Sequence, residues 1–162
     1  MTIKKISDSE AVFANSNSPA PLTVTEKKNI ITVENEYIRW EFDRTKGGEL
    51  TRASVKNGSG ENLLRSPQKN MLILYTDDNG YRLYSTVNLV VLDSKILMTA
   101  DGGCELRFKQ GMADPDGKAL EGVSLEHVTE CSAWGYTKHR IRLHFEKRIG
   151  GVWSLDVGSF GA

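Results

Sequence analysis

Hydrophobic and polar residues alternate along most of this chain, and the alternation is interrupted at short intervals by glycine, asparagine and aspartate. Residues 37–43 show it most cleanly: Ile38, Trp40 and Phe42 fall on one side, Arg39, Glu41 and Asp43 on the other. A period of two over such a stretch marks a strand with one buried face. Residues 22–25 and 30–33 read as strands around the polar turn Glu26-Lys27-Lys28-Asn29. Lys46-Gly47-Gly48 then turns the chain into a strand over 49–55, and Asn57-Gly58-Ser59-Gly60 turns it again. Residues 71–75 form a continuous apolar run of strand length. Asp78-Asn79-Gly80 is a hairpin signal, because asparagine and glycine accept the positive φ of a tight turn. Short strands are predicted over 81–84, 87–92, 95–99 and 104–109, and longer ones over 122–130, 136–148 and 152–158. Asp114-Pro115-Asp116-Gly117 reads as a turn. Only residues 61–65 suggest a single turn of helix. Many short strands separated by turn signals predict an all-β fold, an antiparallel β-sandwich with little or no helix.

Domain organisation follows from where the alternation begins. Asn15-Ser16-Asn17-Ser18-Pro19-Ala20-Pro21 is small, polar and proline-containing, so residues 1–21 read as a flexible lead-in and 22–162 as one sandwich domain. A chain of 162 residues suits a single domain able to bury its own core. The 21 basic and 21 acidic side chains cancel, which removes the electrostatic case for a nucleic-acid or anionic-membrane partner. No apolar run approaches the ~20 residues of a spanning helix. Lys4-Lys5 is followed by Ser7-Asp8-Ser9-Glu10 rather than by an apolar segment, so no secretory signal is read: either the protein stays in the cytoplasm, the favoured reading, or a signal lies outside this sequence. Cys104 and Cys131 fall in separate predicted strands and read as plain, partly buried thiols, which could pair if those strands are neighbours.

Candidate chemistry is sparse. His127 and Cys131 share a strand face but stand roughly 13 Å apart at strand rise, too far to ligate one ion. Asp114-Pro115-Asp116-Gly117 lacks the remaining ligands of a calcium loop. Neither a metal site nor a cofactor is expected. No nucleophile elbow or phosphate-cradling glycine loop is present. Asp77 and Asp78 form an adjacent carboxylate pair in a predicted hairpin turn, where capping explains them. The polar face of the strand after residue 136 is more suggestive: Lys138, Arg140, Arg142 and His144 form a row ~20 Å long. That row suits either a solvated face whose charges are answered on the next strand, or a floor that contacts saccharide hydroxyls and carboxylates. Trp134 and Tyr136 precede it, and Tyr81, Arg82 and Tyr84 cluster after the hairpin. A flat aromatic ring offers an apolar platform, and tryptophan and tyrosine add a polar tip for hydrogen bonding. Trp40 and Trp153 lie in phase with apolar neighbours and are expected in the core.

The segment 33–50, Val33-Glu34-Asn35-Glu36-Tyr37-Ile38-Arg39-Trp40 and onward through Gly47-Gly48-Glu49-Leu50, resembles the opening of the galactose mutarotase-like supersandwich. It combines an asparagine-led strand, an alternating strand, a Gly-Gly turn and an answering strand. Residues 55–64, ending in Glu61-Asn62-Leu63-Leu64, are similar to the next step of that family, and residues 70–78 to the strand after it. The resemblance implies a supersandwich-like fold and a role in carbohydrate metabolism, as in aldose epimerases, β-domains of glycoside hydrolases such as α-mannosidases, and some polysaccharide lyases. The chain is short for a complete supersandwich, which suggests a truncated domain, a compact relative or part of a larger protein. The histidine acid and glutamate base of the epimerases have no matching motif here, so no catalytic residue is carried over. The expectation is a carbohydrate-binding or carbohydrate-enzyme-associated domain with a saccharide ligand, held by Arg140, Arg142, His144, Trp134, Tyr136 and Arg82. One alternative is an enzyme of the same fold using His144 or His127 with Glu126, Glu130 or Glu146. Another is a structural module that docks a partner domain or a second copy.

Overall fold

A computed structural model describes residues 19–67, 69–76, 82–147 and 152–160. Among the described residues the regular structure is ten strands and one 3-10 turn, Arg44–Lys46. Strands β1 (Thr23–Lys27), β2 (Ile30–Glu34), β3 (Ile38–Asp43) and β4 (Glu49–Val55) form an antiparallel meander in sequence order. Strands β5 (Lys69–Thr76), β6 (Arg82–Met98), β7 (Cys104–Ala113), β8 (Val123–Cys131), β9 (Thr137–Phe145) and β10 (Val152–Phe160) form a second sheet, ordered β10-β5-β6-β7-β8-β9. All its pairings are antiparallel, and β9 and β10 are its edges.

The sheets are layered because each has one apolar face. Ile31, Val33, Trp40, Phe42 and Leu50 of the first sheet share one buried core with Cys104, Leu106, Phe108 and Cys131 of the second. Alternation sets this register: on β7, Cys104, Leu106, Phe108 and Gln110 are buried while Arg107 and Lys109 are exposed. A smaller apolar cluster, Tyr84, Met112, Val123 and Leu125, continues the interior. Trp40 is in the core as its phase predicts; the side chain of Trp153 lies outside the described residues.

The Gly47-Gly48 turn does more than reverse the chain. Its residues take φ 65° and 80°, and a Cβ on Gly48 would lie 2.2 Å from the Phe108 ring. The backbone therefore rests directly on the opposite sheet, an approach and a conformation that only glycine permits. Arg44, in the 3-10 turn just before it, ties the sheets at the same place through Glu26 and through Ser94 Oγ at 2.7 Å.

Three local expectations are corrected. The strands expected over 82–99 are one long strand, β6, whose pairing with β7 shifts register between Ser85 and Val90 and between Val91 and Asp93. Bulges bend a strand without ending it, and neither glycine nor proline stands in this stretch to break it. Residues 61–65 form no helical turn, because the Asn62 side chain pairs with the β4 backbone instead. Its Oδ1 accepts from the amides of Ala53 and Leu64, and its Nδ2 donates to the Thr51 carbonyl. Lys109 is not the end of β7, which runs on to Ala113.

Asp114-Pro115-Asp116-Gly117 is the expected turn: Asp114 Oδ1 accepts from the Asp116 and Lys118 amides at 3.1 and 2.7 Å. Residues 77–81, which include Asp77, Asp78 and Tyr81, and residues 1–18 of the lead-in lie outside the described residues. Ala20 and Pro21, at the end of that lead-in, pack on the sandwich: Ala20 donates to Glu36 and accepts from Asn35, and Pro21 lies against Gly102.

Candidate functional site

The outward face of the six-stranded sheet collects the polar row predicted on β9. Cross-strand register places Lys138 opposite Glu130, Arg140 opposite Val128, Arg142 opposite Glu126 and His144 opposite Ser124. On the far side of β8, β7 sets Glu105, Arg107 and Lys109 against Glu130, Val128 and Glu126. Charge on this face is grouped by strand: β9 carries Lys138, Arg140 and Arg142, β8 carries Glu126 and Glu130, and β7 carries Glu105, Arg107 and Lys109. Glu130 takes both Arg140 and Lys138, the latter at 3.6 Å, and Glu126 lies 3.7 Å from Arg142. Arg107 pairs with Glu105 on its own strand. Val128, only 3% exposed, sits in register between Arg107 and Arg140, where long aliphatic stems cover an apolar side chain. The row is thus an accessible face with its charges answered by β8, not an uncompensated basic track.

At one end of this face a depression of about 390 Å³ is lined by Lys109, Ser124, Glu126, His144, Phe145 and Glu146. The chemistry around it is mixed: two carboxylates, an ammonium, an imidazole, a buried hydroxyl and a ring that is 50% exposed. β7 has Gly111 at its next alternate position, which adds no side chain to the row. A His and two Glu therefore border one hollow, the arrangement sought for the enzymatic alternative.

At the other end stands the β8–β9 hairpin tip. The Ser132 amide donates to the Tyr136 carbonyl at 3.0 Å, Gly135 takes φ 91°, and Trp134 and Tyr136 project into solvent, 70% and 62% exposed. The tip is held from below by Asn35, which is buried and uses its whole hydrogen-bonding capacity. Its Nδ2 donates to Ala133 O at 3.0 Å and to Ala20 O at 3.2 Å, and its Oδ1 accepts from the Tyr37 and Ile38 amides. Tyr37, 43% exposed, is part of the same loop end.

The predicted ligand residues do not converge on one pocket. Tyr136 and His144 mark the two ends of a strand face, roughly 26 Å apart at strand rise, with Lys138, Arg140 and Arg142 between them. Arg82 opens β6, but its side chain lies outside the described residues. Lys109, Ser124 and Phe145 were not singled out by the sequence; only the β7-β8-β9 register brings them beside His144.

His127, an alternative catalytic candidate, is 2% exposed and faces the sandwich interior, away from this surface. Its Nδ1–H donates to the Gly47 carbonyl at 3.2 Å, which Gln110 Nε2 also approaches at 2.9 Å. That leaves Nε2 as an acceptor, 3.1 Å from His139 Nδ1 and 3.3 Å from Thr129 Oγ1. Thr137 Oγ1 lies 3.3 Å from the remaining nitrogen, Nε2, of His139. Burial pushes the His127 imidazole down to about 4 against the Gly47 bond, with repulsion from His139 adding to the fall; burial lowers His139 too. Both rings lie on the interior face of the β8–β9 ladder rather than on this surface. Among the described residues no cluster of three or more His, Cys, Asp or Glu side chains is placed to hold a metal ion, and no helix is long and apolar enough to cross a membrane. Comparison with protein-family models, with curated proteins and with solved structures returns no match to this chain.

Proposed function

We propose that this domain binds carbohydrate, and that the ligand is an extended oligosaccharide lying along the outward face of β9. The observation that carries the reading is the order of groups on that face. Exposed Trp134 and Tyr136 stand at one end, a ladder of Lys138, Arg140 and Arg142 paired with Glu130 and Glu126 follows, and the His144 depression closes the row. Sugars present apolar CH faces to aromatic rings and rows of hydroxyls to charged donors and acceptors, and such a face offers both. Its length favours several linked residues over a monosaccharide, which could not touch both ends. The galactose mutarotase-like resemblance of residues 33–50, 55–64 and 70–78 supports the same substrate class.

Titration calorimetry with oligosaccharides of increasing length tests this, using neutral and uronate-containing series. The expected result is affinity that rises with chain length and falls about tenfold in Trp134→Ala, the loss of one aromatic platform. Absence of binding to both series by the folded protein at millimolar sugar would overturn the reading.

A second reading, a sugar-active enzyme, is favoured by one specific feature: His144, Glu126 and Glu146 border a single depression. General acid–base chemistry needs two such groups within reach of one substrate. Turnover abolished in both His144→Gln and Glu126→Gln, with binding retained, would establish it; unchanged substrate after long incubation would leave binding alone.

A further inference from the structure

Cys104 and Cys131 stand directly opposite each other as the last register pair of β7 and β8. Opposed Cα atoms in an antiparallel ladder are about 4.5 or 5.5 Å apart, and both spacings fall inside the roughly 4.4–6.8 Å window of a disulfide. Both thiols are free, buried, and part of the core shared by the two sheets. The backbones close in further at this point: a Cβ on the neighbouring Gly103 would lie 2.7 Å from the Cys131 carbonyl oxygen, so glycine there lets the two strand ends meet.

We propose that Cys104 and Cys131 are an oxidation site, a cross-strand dithiol that low-molecular-weight disulfides convert to an intramolecular disulfide. Alignment is already complete in the reduced protein, so closing the bond requires no change in strand register. The Cys131 S–H hydrogen-bonds the Cys104 sulfur, which lowers the Cys104 thiol from its ordinary value and raises that of Cys131. In the exchange Cys104 acts as the attacking thiolate. It displaces one thiolate from the small disulfide and becomes a mixed disulfide. Cys131 then gives up its proton to solvent, its sulfur attacks Cys104 Sγ, and the second small thiolate leaves. Two S–H bonds and one external S–S bond are lost; one internal S–S bond and two small thiols are formed, so the dithiol supplies the two electrons. Access comes from the position of the pair at strand ends, between the turn at 99–103 and the hairpin loop at 132–136, where local fraying exposes sulfur without opening the sheet.

The test uses the full chain, oxidised glutathione as the probe, and mass spectrometry after acid quenching and denaturing alkylation. The expected product has lost two hydrogen atoms and has no alkylatable cysteine. A peptide map should join the fragments holding Cys104 and Cys131, the urea midpoint should rise, and dithiothreitol should reverse every change. Cys131→Ser should stop at one glutathione on Cys104. Two alkylatable thiols after prolonged oxidation, a wild-type product arrested as the mixed disulfide, or cross-linking only between chains would each overturn the proposal. The wild-type peptide map decides by itself should the serine variant fail to fold.

Discussion

Lowering the pH acts on one residue more than on any other described here. His127 is buried between the sheets with its Nδ1–H on the Gly47 carbonyl, and its imidazole titrates at about 4 rather than at its ordinary 6.5. The sign follows from linkage. Above pH 6.5 both the folded and the unfolded chain hold a neutral imidazole, and its contribution to stability is complete. As the pH falls through 6.5 the unfolded chain takes up a proton that the folded chain refuses, and stability drops until the folded form also protonates near 4. At about 1.36 kcal/mol per unit of pKa, the gap corresponds to about 3 kcal/mol, a large share of the 5–15 kcal/mol typical of a domain. His139, lowered in the same direction by burial, adds to the loss.

Urea unfolding followed by tryptophan fluorescence, repeated between pH 7.5 and 4.5, reads this as a slope approaching about 1.4 kcal/mol per pH unit. His127→Gln keeps a donor for the Gly47 carbonyl and removes the titration, so its slope over the same window should be shallower by about one proton. Parallel loss of stability in wild type and His127→Gln would refute the reasoning, as would an NMR titration that puts the His127 imidazole near 6.5.

Other perturbations follow from the same contacts. Gly48→Ala forces a Cβ to 2.2 Å from the Phe108 ring at φ 80°, and should lower unfolding free energy by about 3 kcal/mol or more in urea melts. Asn35→Ala strands the Ala133 carbonyl and two amides that now bond its side chain, for a loss of about 3 kcal/mol, and should loosen the tip that carries Trp134, seen as faster amide exchange at 132–136. Glu130→Gln breaks exposed ion pairs, so thermal melts should move little, by about 1 kcal/mol at most, while affinity for uronate oligosaccharides rises and becomes more salt-sensitive as Arg140 and Lys138 are released.

Strand identity was legible in the sequence wherever one face is buried. Residues 38–43 alternate because Trp40 and Phe42 enter the core while Arg39 and Glu41 do not, and a two-residue period records that choice directly. β8 is harder, since Val123, Ser124 and Leu125 are all buried, and little solvated face remains to mark the phase. The sequence of β6 reads as several strands because its bulges interrupt the periodicity without interrupting the chain. Asn35 and the Gly47-Gly48 pair stood out as residue types, and their positions proved to be joints between the sheets. The candidate surface was legible only in half. A row on β9 can be read from β9 alone, but its partners, Glu126 and Glu130 on β8 and Lys109 on β7, depend on strand pairing, which no local pattern encodes. For the same reason His127 looked available for chemistry, although its face is the interior one.

If the outward face of β9 is a saccharide surface, amide chemical-shift mapping during an oligosaccharide titration shows it most directly. Saturable shifts should run in a continuous line from Trp134 and Tyr136 through Arg140 and Arg142 to His144, crossing to Glu126 and Lys109, with the first sheet silent. Shifts confined to the β1–β4 sheet, or none at saturating sugar, would contradict it.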